Sequence, residues 1–305
     1  PWKRCGMNRP RGAAILALVM AAGFALMAPP ARGAGRAECL SIHSKILGRA
    51  VGYCALLPPS YDAAKDARFP ILYLLHGIGG NQQTILGGGG LNLVEDLWER
   101  HAIGDFLIVT PDGDSSFYIN SRDGRVRYED FLMQEFFPYI EHRYRVKASR
   151  STRGISGISM GGYGALHLAF RHPELFGSVS AHSAALLLQL PRVSATGEAA
   201  SAEMSLLGDV FGSPPDPAFW RRNDPLELAR TAPLAGLKIY FDCGTEDEYG
   251  FYRGALKLDE ILTGRKITHE FHLDPGGHDW TYFAEHLPES LEFHSRAFAA
   301  ASARR

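Results

Sequence analysis

From Pro70 onward, short apolar runs alternate with longer amphipathic stretches, and this alternation is the strongest constraint on what the chain can fold into. The strand-like runs cover residues 71–75, 106–110, 153–156, 178–181, 237–241 and 268–273, and the helix-like stretches cover 93–101, 128–144, 161–171, 251–262 and 287–300. Strand and helix taking turns in this way implies right-handed crossovers and a mostly parallel sheet with helices on both faces. Upstream, two further runs, 39–47 and 49–57, meet at Gly48 and read as an antiparallel hairpin. With 46% hydrophobic residues in 305, the chain can bury a sizeable core. No internal repeat and no linker rich in Pro, Gly or Ser divides it, so residues 38–305 are expected to form a single domain.

Residues 1–37 read differently. Met7 is followed by Arg9 and Arg11, then by an apolar run from 13 to 28, then by Pro29, Pro30 and small residues. This is the pattern of a signal peptide, preceded by a short upstream extension at 1–6. The run falls short of the ~20 residues that a membrane-spanning helix needs. The expected location is therefore periplasmic or secreted, with no stable membrane insertion after cleavage. Export would permit a disulfide. A hairpin register centred near Gly48 sets Cys39 roughly opposite Cys54, with α-carbons expected within the ~4.4–6.8 Å that a disulfide requires; two buried free thiols are the alternative. Cys243 is then left over and reads as part of a packed strand end.

Charge removes other classes. Thirty-two basic against 33 acidic side chains leave a net charge of -1, so no cation excess exists to neutralise a phosphate backbone or bind an anionic bilayer. Nucleic acid is not an expected partner. The 12 histidines form no tract, and neither a metal nor a cofactor is expected. The glycine run at 87–90 lacks the Lys-Ser/Thr that a phosphate-cradling loop requires.

The sharpest local signal is Gly157-Ile158-Ser159-Met160-Gly161-Gly162, set between the strand-like run at 153–156 and the helix-like stretch ending at 171. A serine on a tight strand-to-helix turn needs glycine two residues before and after, because side chains there would strike neighbouring backbone. Such a turn thrusts the hydroxyl out of the sheet as a nucleophile. A helix N-cap serine is the plainer alternative. The hydroxyl needs a base, and the base needs an orienting carboxylate. In chains with this turn, acid and base follow the serine in that order. Asp247 lies after the run at 237–241, within Gly244-Thr245-Glu246-Asp247-Glu248, and His278 lies in Gly276-Gly277-His278-Asp279-Trp280. Both fall in loops at strand C-terminal ends, where open parallel sheets bind ligands. Glu246 and Glu248 read as exposed loop charges, Asp242 as a turn cap at a strand end, and His269 and His272 as structural residues inside a strand. Acyl chemistry also needs donors for the developing oxyanion. The backbone N–H groups of Met160 and of Ile78, in His76-Gly77-Ile78-Gly79-Gly80, are the candidates, with His76 propping that loop.

Leu74 to Gly80, Gly157 to Ala165, Gly244 to Asp247 and Gly276 to Trp280 together resemble the Putative esterase family. That family includes esterase D, tributyrin, feruloyl and acetyl xylan esterases, enterochelin esterases and mycolyltransferases. Tyr128-Glu129-Asp130-Phe131 and Tyr139-Ile140-Glu141-His142-Arg143-Tyr144 also fit its pattern, and the similarity runs from about residue 40 to 298. The resemblance implies the α/β-hydrolase fold and a catalytic triad of Ser159, Asp247 and His278. It implies a serine carboxylesterase acting through an acyl-enzyme on short-chain or aryl acyl esters, either small molecules or carbohydrate-linked. An acyltransferase of the mycolyltransferase kind and an S-acylglutathione thioesterase are the alternatives. Phe117 and Tyr118, after a strand end, and Trp280, beside the base, are candidate substrate contacts. The insertion at 186–236, with Phe211, Phe219 and Trp220, is a candidate roof over the pocket.

Overall fold

The computed structural model describes Pro1, residues 34–190 and residues 202–302. The expected signal peptide lies outside the described residues. Among the described residues, eight strands form one sheet in the order β1-β2-β4-β3-β5-β6-β7-β8. The hairpin β1 (Arg36–Ser44) and β2 (Arg49–Leu57) is antiparallel, and β2 pairs antiparallel with β4 (Leu107–Pro111). The remaining strands, β3 (Ile71–Leu75), β5 (Arg153–Ile158), β6 (Ser178–His182), β7 (Lys238–Gly244) and β8 (Glu270–Asp274), run parallel to their neighbours and to β4. This is the α/β-hydrolase arrangement that the alternation and the motifs imply.

β3 is apolar along its length because both its faces are covered. In β3, Ile71, Tyr73 and Leu75 enter one buried cluster while Leu72 and Leu74 enter the other, the period-2 alternation of a strand sorting its side chains between two cores. The second face is closed by α1 (Leu91–Glu99) and by the last helix. The stretch expected as helical at 128–144 is helical from Tyr128 to Arg143: α2 (Tyr128–Phe131) continues through one wider π-type turn at Leu132–Phe136 into α3 (Phe137–Arg143). Glu135, in the wide turn, accepts the Ser44 hydroxyl at 2.5 Å and the backbone N–H groups of Lys45 and Ile46, which docks the hairpin turn onto the body.

The hairpin register puts Cys39 directly opposite Cys54, and the two form a disulfide. The register centres on the turn at residues 45–48 rather than on Gly48 itself. The α-carbons are 4.0 Å apart, just below the expected window and close to the ~4.5 Å of directly opposed residues in a non-hydrogen-bonded pair.

Three expectations shift. After α4 (Met160–Arg171), the insertion at 186–236, for which no helix was expected, carries helices α5 (Ala202–Phe211), α6 (Pro217–Asn223) and α7 (Pro225–Thr231). Next come α8 (Tyr252–Gly264) and α9, which spans Trp280–Ser302 and so begins seven residues before the expected 287. His269 precedes β8 and is fixed by the Ile267 carbonyl and Asp259, each at 2.8 Å, while His272 lies in the strand.

Candidate active site

Ser159 sits between β5 and α4 with φ 59° and ψ -117°, a left-handed backbone that a side-chain-bearing residue rarely adopts. The flanking glycines make the turn possible. A Cβ on Gly157 would fall 2.1 Å from the Gly161 carbonyl oxygen, and one on Gly161 would fall 2.2 Å from the Leu75 carbonyl oxygen. The serine's own backbone is tied down on both sides: its N–H donates to the His182 carbonyl at 2.9 Å, and its carbonyl accepts the N–H groups of Tyr163 and Ala185.

His278 Nε2 lies 2.9 Å from Ser159 Oγ, and His278 Nδ1 lies 2.7 Å from Asp247 Oδ2. The carboxylate can only accept, so the ring proton sits on Nδ1 and leaves Nε2 free to accept the serine hydroxyl. Asp247 is 4% exposed. Its Oδ1 accepts the N–H groups of Tyr249 at 3.0 Å and Phe251 at 3.4 Å, and its Oδ2 also faces the Cys243 thiol at 3.7 Å. Burial pushes that thiol up to about 12, so it stays protonated and donates. The rings of Tyr249, Phe251 and Phe283 stand edge-to-face around the imidazole at centroid distances of 4.9, 5.4 and 5.3 Å.

The loop after β3 closes the other side of the serine. A Cβ on Gly77 would stand 3.3 Å from Ser159 Cβ, so a side chain there would press on the serine. His76 props this loop: Nδ1 bonds the Gly77 carbonyl at 2.8 Å and Nε2 accepts the Gly113 N–H at 2.7 Å. Met160 opens α4, where the first N–H groups have no partner within the helix, and the side chain of Ile78 is exposed toward the cavity.

Ser159 and His278 open onto a cavity of about 800 Å³. Phe117 and Trp280 line it, but Tyr118 does not. Tyr118 is fully buried, with its hydroxyl donating to the His76 carbonyl at 3.0 Å, so it holds the loop from behind instead of meeting a ligand. Nor do Phe211, Phe219 and Trp220 roof the cavity. They pack α5 and α6 together, with Phe211 and Trp220 centroids 4.6 Å apart and Phe117 against Phe211 at 5.5 Å, while Leu187 and Leu207 of the insertion reach the cavity. Asp242 is an interior residue of β7, buried 2.7 Å from His182 Nδ1 and bonded by the Tyr282 hydroxyl, so it caps no turn. Glu248, read as a loop charge, lines the cavity and accepts the backbone N–H of His278 at 3.1 Å.

The Putative esterase family model matches residues 44–294. An esterase of Mycobacterium tuberculosis is 31% identical over 245 residues, 74% of this chain and 52% of that protein, so the chain spans about half the length of this relative. An acetyl esterase of Caldicellulosiruptor saccharolyticus is 26% identical over 266 residues, 84% of this chain and 97% of that protein. Among solved structures, a ferulic acid esterase matches with a TM-score of 0.74 and 26% identity, over 87% of this chain and 99% of that one.

Proposed function

Because the chain belongs to the Putative esterase family, we propose that it hydrolyses uncharged short-chain or aryl acyl esters outside the cytoplasm, through an acyl-enzyme on Ser159. The observation that carries this reading is the continuous chain Asp247–His278–Ser159, at 2.7 and 2.9 Å, opening onto the cavity. The Ser159 oxygen attacks the ester carbonyl as its proton passes to His278 Nε2, and Asp247 balances the imidazolium that forms. The carbonyl oxygen becomes an oxyanion, received by the N–H groups of Met160 and Ile78 and by the positive end of α4. Collapse of this intermediate breaks the bond to the alcohol, which leaves with the proton from His278. Water then repeats the sequence, its proton going to His278 and its oxygen to the acyl carbon, and Ser159 is released with its proton restored.

The cavity supports the substrate class. Its volume suits a small organic ester, and Ile78, Phe117, Leu187, Leu207, Phe251 and Phe283 supply apolar walls for an acyl group. The charged residues on its lining are Glu248 and Asp279, with no Lys or Arg among the described residues there, which disfavours glutathione thioesters and their carboxylates. The Cys39–Cys54 disulfide favours an oxidising compartment.

Initial rates on 4-nitrophenyl acetate and butyrate, a feruloyl ester and S-formylglutathione test the reading, each with and without an added alcohol acceptor. The neutral esters should turn over with free acid as the main product, and S-formylglutathione should lag in kcat/KM by roughly tenfold or more, the effect of ~1.4 kcal/mol of charge repulsion. Failure of every neutral ester would overturn the proposal. Dominant transfer to the alcohol would make the chain an acyltransferase.

A further inference from the structure

The loop carrying His278 has little means of holding itself in place. Gly276 and Gly277 precede the base, Gly276 adopts φ 139°, and neither residue has a side chain to anchor. The acid loop supplies the support instead. Thr245 N–H donates to the Asp274 carbonyl at 2.8 Å and Glu246 N–H to the Gly276 carbonyl at 2.9 Å. The two backbones touch so closely that a Cβ on Gly244 would fall 2.2 Å from the Gly276 oxygen. Beyond Gly276 this backbone support ends, and two consecutive carboxylates take over: Asp247 takes the ring of His278 at Nδ1, while Glu248 Oε2 takes its main-chain N–H at 3.1 Å.

We propose that Glu248 is a positioning residue, whose carboxylate clamps the backbone of His278 so that the ring, held at Nδ1 by Asp247, can only point Nε2 at Ser159. Asp247 alone fixes one end of a side chain that hangs from a two-glycine loop. With the backbone nitrogen also fixed, the base is held at both ends by neighbouring residues of one loop. The bond is charge-assisted and therefore stronger than a neutral one, which suits an exposed carboxylate. The imidazole's reach to the serine depends on this placement, and a displacement of about 1 Å at such a site can cost ~100-fold in rate.

The inference rests on the triad reading above, and the test separates the two. Glu248→Ala and Glu248→Gln are compared with the parent chain for kcat and KM on 4-nitrophenyl butyrate, for melting temperature, and for the imidazole ¹H–¹⁵N NMR signal of the Nδ1–H of His278. Glu248→Ala should lower kcat by roughly ten- to a hundredfold with KM and melting temperature little changed, and should weaken or broaden the Nδ1–H signal. Glu248→Gln, whose amide oxygen can accept the same N–H, should recover kcat to within about threefold of the parent. Wild-type kcat in Glu248→Ala, or a Gln variant no better than Ala, would overturn the clamp. If the parent chain hydrolyses no ester, the esterase reading fails, and the NMR signal alone decides whether Glu248 holds the imidazole.

Discussion

Ser159 keeps a backbone conformation that costs a residue with a side chain roughly 1–3 kcal/mol. Hydrogen bonds at its N–H and carbonyl, and glycine contacts on either side, hold it there. The return is an oxygen lifted clear of the sheet, 2.9 Å from the base. At the same scale, Asp247 Oδ2 lies 2.7 Å from His278 Nδ1, and in the proposed mechanism it fixes the ring's tautomer and faces the imidazolium. Asp247→Asn would keep much of the shape but offer an amide that can donate to Nδ1, which favours the wrong tautomer. Its kcat should fall by roughly a thousandfold to ten-thousandfold, while Glu246→Gln stays near wild type. Steady-state kinetics of the two variants decide it, and a tolerant Asp247 with a damaged Glu246 would move the acid. The contact between Asp247 and His278 joins the two residues that the chain order after the serine singled out. Tyr118 was misjudged because burial leaves no trace in local sequence; Glu248 is the exposed loop charge expected, and its bond to another loop's backbone is what local sequence does not show.

At the scale of elements, the legible parts were those whose signal is periodic or steric. The strands were found within three residues at each end because burial writes apolar runs, with β1 and the end of β7 furthest off, and the turn at Ser159 was found because its glycines are sterically required. The helices at 217–231 were missed although their start signals stand in the sequence: Asp216-Pro217 and Asp224-Pro225 each put a capping carboxylate before a proline at the first helical position. The early start of α9 has a similar cue, since Asp279 Oδ1 accepts the Tyr282 N–H at 3.0 Å. The hairpin gives this scale its prediction. Its disulfide closes a loop of 15 residues, which by chain entropy contributes about 3 kcal/mol or less. Cys39→Ser with Cys54→Ser should lower the melting temperature by up to about 10 °C and leave ester turnover intact. An unchanged melting temperature, or a collapse of activity in folded protein, would contradict this.

For the whole molecule, α9 ties the sheet to the site, since it begins beside His278 and packs back across β6 and β7. His294, fully buried on α9, lies 2.7 Å from Ser178 Oγ and 2.9 Å from Ser180 Oγ. Burial, reinforced by the nearby His182, holds its imidazole down at about 3. An unfolded histidine takes a proton near pH ~6.5, so between that value and about 3 the unfolded chain binds a proton that the native one refuses. Stability should fall as pH drops through this window, by up to ~1.4 kcal/mol per unit from this group. Urea unfolding at pH 7 and pH 5 should show roughly 2 kcal/mol less pH dependence in His294→Gln than in the parent, and equal dependence would remove His294 as the cause. The central claim is that Ser159 carries the acyl group. Rapid acid quench of the chain with 4-nitrophenyl butyrate, followed by peptide mass mapping, reads this directly. The account predicts one butyryl group on the peptide containing Ser159, absent in Ser159→Ala, whose turnover falls by several orders of magnitude. A butyryl group on another residue, or a Ser159→Ala variant within tenfold of wild-type turnover, would contradict it.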